Sequence, residues 1–268
     1  MIRTLTEADL GKDRRIRLLT DGAAFIGLVI IKGKEAGRLH GESADDVWRS
    51  LHDEAARHLP GFHGWDGART RFTRLFPNGF ADPSFHERER NYKDQARRLL
   101  LSTAPVERAA AASGLGAAVA KAFQATNLLA SFEMMRIGPL LKGEDADDVI
   151  QSAARFTLDP SPTTMGRLAQ SLKRADAAKW PPATYLPFLW QPDRHMFLKP
   201  QVTKIFAERV GHPFADVYEP FPDWATYESL LDLTARMRDE FVAFAPADNV
   251  DLQSALWAIS EYEDDPAE

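Results

Sequence analysis

The chain has 268 residues, 44% of them apolar and 27% charged, the balance of a globular protein with one large or two ordinary domains. It contains no cysteine, which excludes disulfides, thiolate zinc sites, iron–sulfur clusters and a cysteine nucleophile, and which fits a cytoplasmic protein. The net charge of −6 is unevenly spread: residues 1–200 stand at +5 and residues 201–268 at −11, so overall acidity does not exclude an anionic partner.

The opening MIRTLTEADLGKDRRIRLL lacks the apolar run of a signal peptide. Arg14–Thr20 (RRIRLLT) reads as a first strand, and Asp21-Gly22 behind it as a two-residue hairpin turn. Ala24–Ile31 reads as a buried strand, Gly33 to Gly37 as a second turn, and Ala36–His40 as a short third strand. Ser43 then caps a helix with Asp45 and Asp46 in its first turn. Its apolar positions Val47, Trp48, Leu51, Ala55 and Leu59 recur at helical spacing, and Pro60-Gly61 stops it.

Residues 61–83 (GFHGWDGARTRFTRLFPNGFADP) read as loop, and Ser84 opens a charged helix to about Ser102. Helices alone are expected beyond, over 106–112, 115–137, 145–156, 162–175, 183–190, 200–210, 224–244 and 249–260. The stretch between Arg108 and Glu133 holds one charge, Lys121, but its alanines, glycines and polar residues suit a buried helix better than a membrane span. The expected architecture is α+β and predominantly helical. A small N-terminal antiparallel sheet packed on a helix occupies residues 1–104, an all-helical domain follows over 105–260, and 261–268 form an acidic tail.

The segment FIGLVIIKGKEAGRLHGESADDVWRSLHDEAARH, from Phe25 to His58, resembles the arm-binding domain of tyrosine integrases, in which a three-stranded sheet enters a DNA groove and a helix braces its back. The resemblance covers about an eighth of the chain and implies a nucleic-acid partner, double-stranded DNA first. Trp48 and Leu51 would then brace the sheet, and Arg14, Arg15, Arg17, Lys32, Lys34 and Arg38 would reach phosphates. A second basic cluster, Arg69, Arg71 and Arg74, leads into a helix where Arg90 and Lys93 share a face with Arg97. The alternative for both clusters is an ordinary solvated surface with local ion pairs, since Glu87, Glu89 and Asp94 are interleaved.

Two further candidates stand beside this one. His63 and Asp66 in a glycine-rich stretch could centre a metal-dependent hydrolase or nuclease, although no metal-ligand spacing fixes such a site. Trp180 to Pro200 packs five prolines and five aromatics into WPPATYLPFLWQPDRHMFLKP, as core anchors or as stacking surfaces with Arg194, His195 and Lys199. The helical run from there to Trp257 faintly resembles the scaffold of helix-hairpin-helix DNA glycosylases, without their catalytic lysine or aspartate context. No phosphate loop, dinucleotide fingerprint or nucleophile elbow is present, and Gly114 and Gly116 make only a lone GxG. No cofactor and no catalysis are therefore expected, and a protein partner at the acidic C-terminal third remains the adaptor alternative.

Overall fold

The computed structural model describes residues 2–11, 13–59, 61–174 and 176–262. They form two compact units, the first from residues 1–70 and 204–218 and the second from 71–203 and 219–268. The end of the expected acidic tail, from residue 263, lies outside the described residues. The boundary anticipated near 104 falls inside the second unit, because the charged helix packs with the helices that follow it.

The first unit is built on an antiparallel sheet of four strands in chain order: β1 (Arg3–Gly11), β2 (Arg14–Thr20), β3 (Phe25–Ile31) and β4 (Lys34–Gly41). Alternation on β2 turns Ile16 and Leu18 toward helix α1 (Ala44–Ala56), where they meet Val29, Val47, Leu51 and Ala55. Gly27 sits beneath α1, and a Cβ there would stand 2.8 Å from Leu51 Cδ2, so the helix approaches the sheet closely because this residue has no side chain. Ser43 caps α1 by accepting from the Asp46 amide at 3.3 Å, as its place before two acids implies.

The sequence reading missed β1 because RTLTEADLG is polar and nearly all exposed, with only Leu10 buried, so it carries no alternation to read. The hairpin after β2 takes four residues rather than two. Asp21 Oδ1 accepts from the amides of Ala23 and Ala24 at 2.9 Å each, forming a side-chain turn that holds its carboxyl below the usual range. The tight two-residue turn lies instead at Lys32 and Gly33, both with positive φ, and β4 begins earlier than expected.

The helices follow as α2 (Gly64–Leu75), α3 (Pro83–Phe85), α4 (Asn91–Thr103), α5 (Val106–Ala109), α6 (Gly116–Gln124), α7 (Ser131–Leu140) and α8 (Ala146–Leu158). After them come α9 (Pro162–Arg174), α10 (Trp180–Trp190), α11 (Pro200–Val210), α12 (Phe214–Val217), α13 (Trp224–Glu240) and α14 (Asn249–Glu261). A 3-10 turn over Gly79–Ala81 and a π-helical turn over His86–Arg90 precede α4. The stretch read as loop thus contains α2. Its glycines masked a buried spacing of Ala68, Phe72 and Phe76, all fully covered. The single helix expected over 115–137 is broken between α6 and α7.

Two aromatic assemblies hold the second unit. Phe72 touches the rings of Phe76, Phe80, Phe85, Phe241 and Phe244 at centroid distances of 4.8 to 6.0 Å. Every residue of α10 is buried, and Trp190 Nε1 donates to the Ala104 carbonyl at 2.8 Å. The proline- and aromatic-rich segment is therefore core. Gly116 also has a packing reason: a Cβ there would lie 2.0 Å from the Leu141 carbonyl oxygen.

Candidate ligand pocket in the helical unit

The sequence-predicted cations scatter over several environments. Arg14 points inward beside α1's side of the sheet and is 5% exposed, with its guanidinium donating to the Leu10 carbonyl at 3.0 Å. Register places Arg17 level with Leu28 and Leu28 level with Arg38, so Arg15, Arg17 and Arg38 share the face turned away from α1. Arg15 and Arg17 pair with Glu7 at 3.2 and 2.7 Å, and Arg38 pairs with Glu35 at 2.8 Å. These hydrogen bonds lower Glu7 and Glu35 and raise Arg17 and Arg38. Lys32, in the β3–β4 turn, and Lys34, just after it, are exposed.

Arg69 pairs with Asp66, whose side chain is 94% exposed, while His63 Nδ1 lies 2.9 Å from the Gly64 carbonyl. No group of three His, Asp or Glu able to hold a metal occurs among the described residues. Arg71 donates to the Ile259 carbonyl at 2.7 Å and to the Tyr262 carbonyl, gripping the end of α14, and Arg74 is exposed in the last turn of α2. His195 is fully buried: Nδ1 meets Tyr227 Oη at 2.8 Å and Nε2 meets the Thr157 carbonyl at 3.0 Å. The carbonyl only accepts, so Nε2 carries the proton and Nδ1 accepts from the tyrosine. Burial pushes this imidazole down to about 4, which keeps it neutral and structural.

Arg90 and Lys93 behave differently from the rest and mark the candidate site. Arg90 is ringed by Asp94 at 3.1 Å, Asp248 at 2.9 Å and Asp251 at 2.6 Å. Burial opposes its charge, but the carboxylates of Asp248 and Asp251 outweigh that and raise its pKa. Burial raises Asp251 in turn, with Arg90 opposing. Asp248 also caps α14 through the Val250 amide at 2.9 Å, so the guanidinium ties the π turn to the start of that helix.

One turn along α4, Lys93 is 1% exposed. Its ammonium donates to Ser254 Oγ on α14 at 2.7 Å and to Glu89 Oε2 at 3.1 Å, and Glu89 Oε1 accepts from Tyr262 Oη at 2.5 Å. Tyr262 is pushed up to about 12, mainly by burial and by this carboxylate. Burial pulls Lys93 down to about 8, with Glu89 restraining the fall. An ammonium has three N–H donors, and the two bonds to Ser254 and Glu89 use two of them.

Lys93 lines a cavity of about 260 Å³ together with Arg88, Glu89, Tyr92, Asn127, Leu128, Phe197, Lys199, Gln253, Trp257 and Tyr262. Glu89, Lys93, Leu128, Phe197 and Gln253 are its buried members. Gln253 Oε1 is buried and accepts no hydrogen bond from any described residue, a costly state unless a ligand supplies a donor. Tyr92, Trp257 and Tyr262 are the half-exposed aromatic members. The Arg88 guanidinium lies 4.2 Å from the centre of the Tyr262 ring, and Lys199 donates to the Leu128 carbonyl at 2.9 Å. Glu89 offsets one of the three cations, so the lining carries net positive charge.

The local structure explains the placement. The π turn HERER carries Arg88 outward and Glu89 inward, and helical four-residue spacing then sets Lys93 beside Glu89. On α14, Gln253 and Trp257 are likewise four apart, in the run NVDLQSALW. Sequence reasoning singled out Lys93 and Lys199 and read Glu89 as a local ion-pair partner, but gave no role to Gln253, Ser254 or Trp257. Tyr262 was placed in the frayed tail, whereas it forms part of the pocket. Comparison of the chain with family models, with curated proteins and with solved structures finds no match.

Proposed function

We propose that this protein is a binding protein for a small anionic ligand, held in the pocket between α4 and α14. The observation that carries this reading is the buried Gln253 carbonyl oxygen, which no described residue meets, in a cavity that the buried Lys93 ammonium also lines. A ligand that meets both relieves a desolvation cost of roughly 1–3 kcal/mol per unmatched group. The cavity of about 260 Å³ is at the small end for ligand sites, which run upward from roughly 300 Å³, so one ring system with one charged group is the right scale.

The test is thermal unfolding with a panel of inorganic phosphate, an aromatic carboxylate and mononucleotides. A ligand at one hundred times its dissociation constant is expected to add about 2.7 kcal/mol of stability, and Lys93→Met should remove the effect. No stabilisation by any of the three classes would end this reading.

A second reading, duplex nucleic acid bound across the sheet, is favoured by the shared face of Arg15, Arg17 and Arg38 and by Lys32 and Lys34 at its turn. That face also carries Glu7, Asp9 and Glu35, so phosphates would have to displace carboxylates from the arginines. It predicts weak duplex binding whose logarithm falls with log salt at a slope of about −0.9 per phosphate contact, reduced by about two contacts in the double variant Arg15→Ala, Arg17→Ala. A slope unchanged by that variant would remove the sheet from consideration. In the acidic C-terminal third, Asp223, Asp248 and Asp251 are committed to helix caps and to Arg90, which leaves fewer carboxylates for a protein partner there.

A further inference from the structure

We infer that the ligand of this pocket is a single nucleotide whose base carries a ring N–H beside a carbonyl, its base edge at Gln253 and Lys93 and its phosphate at Arg88 and Lys199. The inference rests on the small-ligand reading above and names its substrate class. Three features of the cavity converge on it.

The first is the hydrogen-bonding pattern of the buried polar groups. Gln253 Oε1 needs a donor and the Lys93 ammonium needs an acceptor. Aromatic carboxylates offer acceptors alone and leave the Gln253 oxygen unmatched, and inorganic phosphate can match it but has no ring for the aromatic lining. An amino group beside a ring nitrogen, as on adenine and cytosine, or a ring N–H beside a ring C=O, as on guanine and uracil, meets both groups at once. Of the two acceptors the carbonyl oxygen is the better partner for a cation. The second is the aromatic lining. Tyr92, Phe197, Trp257 and Tyr262 offer faces or edges to a planar ring, and stacking on such side chains is a general way to hold an unstacked base.

The third is the division of charge. Lys93 is deep and partly neutralised by Glu89, whereas Arg88 is exposed and Lys199 half-buried. A ligand with a polar, uncharged ring and an anionic group matches this division, and a uniformly charged ion does not. A cavity of about 260 Å³ is on the scale of one base with its sugar and phosphate reaching toward the exposed Arg88, and not of two stacked bases. Such a nucleotide is either free or turned out of a strand, and both present the same base and phosphate.

The experiment is isothermal titration of the full chain with GMP, UMP, AMP and CMP, with guanosine, and with a short guanosine-containing single strand. GMP or UMP is expected to bind at least tenfold more tightly than AMP and CMP. Lys93→Met should erase that preference to within about twofold, Gln253→Leu should weaken all four nucleotides alike, and Lys199→Met should weaken GMP while leaving guanosine nearly unchanged. Tighter binding of the strand than of GMP assigns the source to nucleic acid, and the reverse assigns it to a free nucleotide. Ligand-induced fluorescence change that vanishes in Trp257→Phe locates the event in this pocket without depending on Gln253. If none of the four nucleotides binds, or if the preference survives Lys93→Met, the inference is overturned. An aromatic carboxylate or phosphate that still binds through Lys93 would then leave the broader reading standing, and silence from every ligand would remove both.

Discussion

Replacing Arg90 with leucine is expected to lower the free energy of unfolding by about 3–5 kcal/mol, the usual cost of stranding buried charge. Three carboxylates converge on this guanidinium, and the side chains of Asp248 and Asp251 are only 11% and 5% exposed. Without the cation they repel one another in a poorly solvated site at the start of α14. Asp94→Asn makes the contrast, because that carboxyl is 29% exposed and a pair of that kind contributes about 0–1 kcal/mol. Urea unfolding followed by circular dichroism reads both values. A loss below about 1 kcal/mol for Arg90→Leu would mean that the acids are well hydrated and that the tie between the π turn and α14 contributes little.

Lys93→Met is expected to weaken any ligand that uses the third ammonium N–H by about 1.5–3 kcal/mol, or roughly tenfold to more than a hundredfold. The pH dependence carries the same signature. Lys93 is pulled down to about 8, so in the free protein it loses its proton as pH rises through that value. Ligand affinity through this group should be flat below about pH 7 and should fall by at most about tenfold per unit above pH 8. The linkage to folding has the opposite sign. The unfolded lysine keeps its proton up to its ordinary value of 10.5, so between about 8 and 10.5 the unfolded state binds more protons. The contribution of Lys93 to stability therefore rises with pH across that window and is at its lowest below it.

The other groups facing Lys93 are Glu89 and Arg90 on the π turn, Tyr92 on α4, Asp251 and Ser254 on α14, and Tyr262 beyond it. Tyr92 is raised by burial and Glu89, and Tyr262 is pushed up to about 12, so both phenols stay neutral through this window. Titration of affinity against pH, in the wild type and in Lys93→Met, checks the assignment. An inflection near 8 that disappears in Lys93→Met confirms the assignment, and one that persists there would take the titration away from Lys93.

Much of the architecture is legible in the sequence because it follows from local rules. Ser43 before two acids, Asp223 before α13 and Pro200 at the start of α11 each mark a helix boundary that the structure keeps. The alternation of RRIRLLT and the apolar run after it likewise mark two strands of the sheet. β1 has no such mark, since its strand conformation is imposed by pairing with β2 rather than by its own side chains.

The pocket is harder to read for a related reason. Glu89 and Lys93 stand four apart and read as an exposed ion pair, and only α14, some 160 residues away, turns that pair into a buried one. Gln253 and Trp257 look like ordinary helix residues until α4 lies opposite them. Nothing local separates a lysine on a solvated face from one that a distant helix covers. The three carboxylates that enclose Arg90 come from two sequence regions for the same reason.

Tyr262 gives the end of the described chain an unexpected weight. Its hydroxyl donates to Glu89, its ring carries Arg88, and its carbonyl is held by Arg71. A chain cut after Ser260 would therefore change far more than the charge of an acidic tail. It would take away part of the cavity, release the carboxylate that restrains Lys93, and free the guanidinium at the mouth. Proteolytic trimming at this terminus, or a tag fused close behind it, becomes a perturbation of ligand chemistry, although on paper it touches only a few acidic residues.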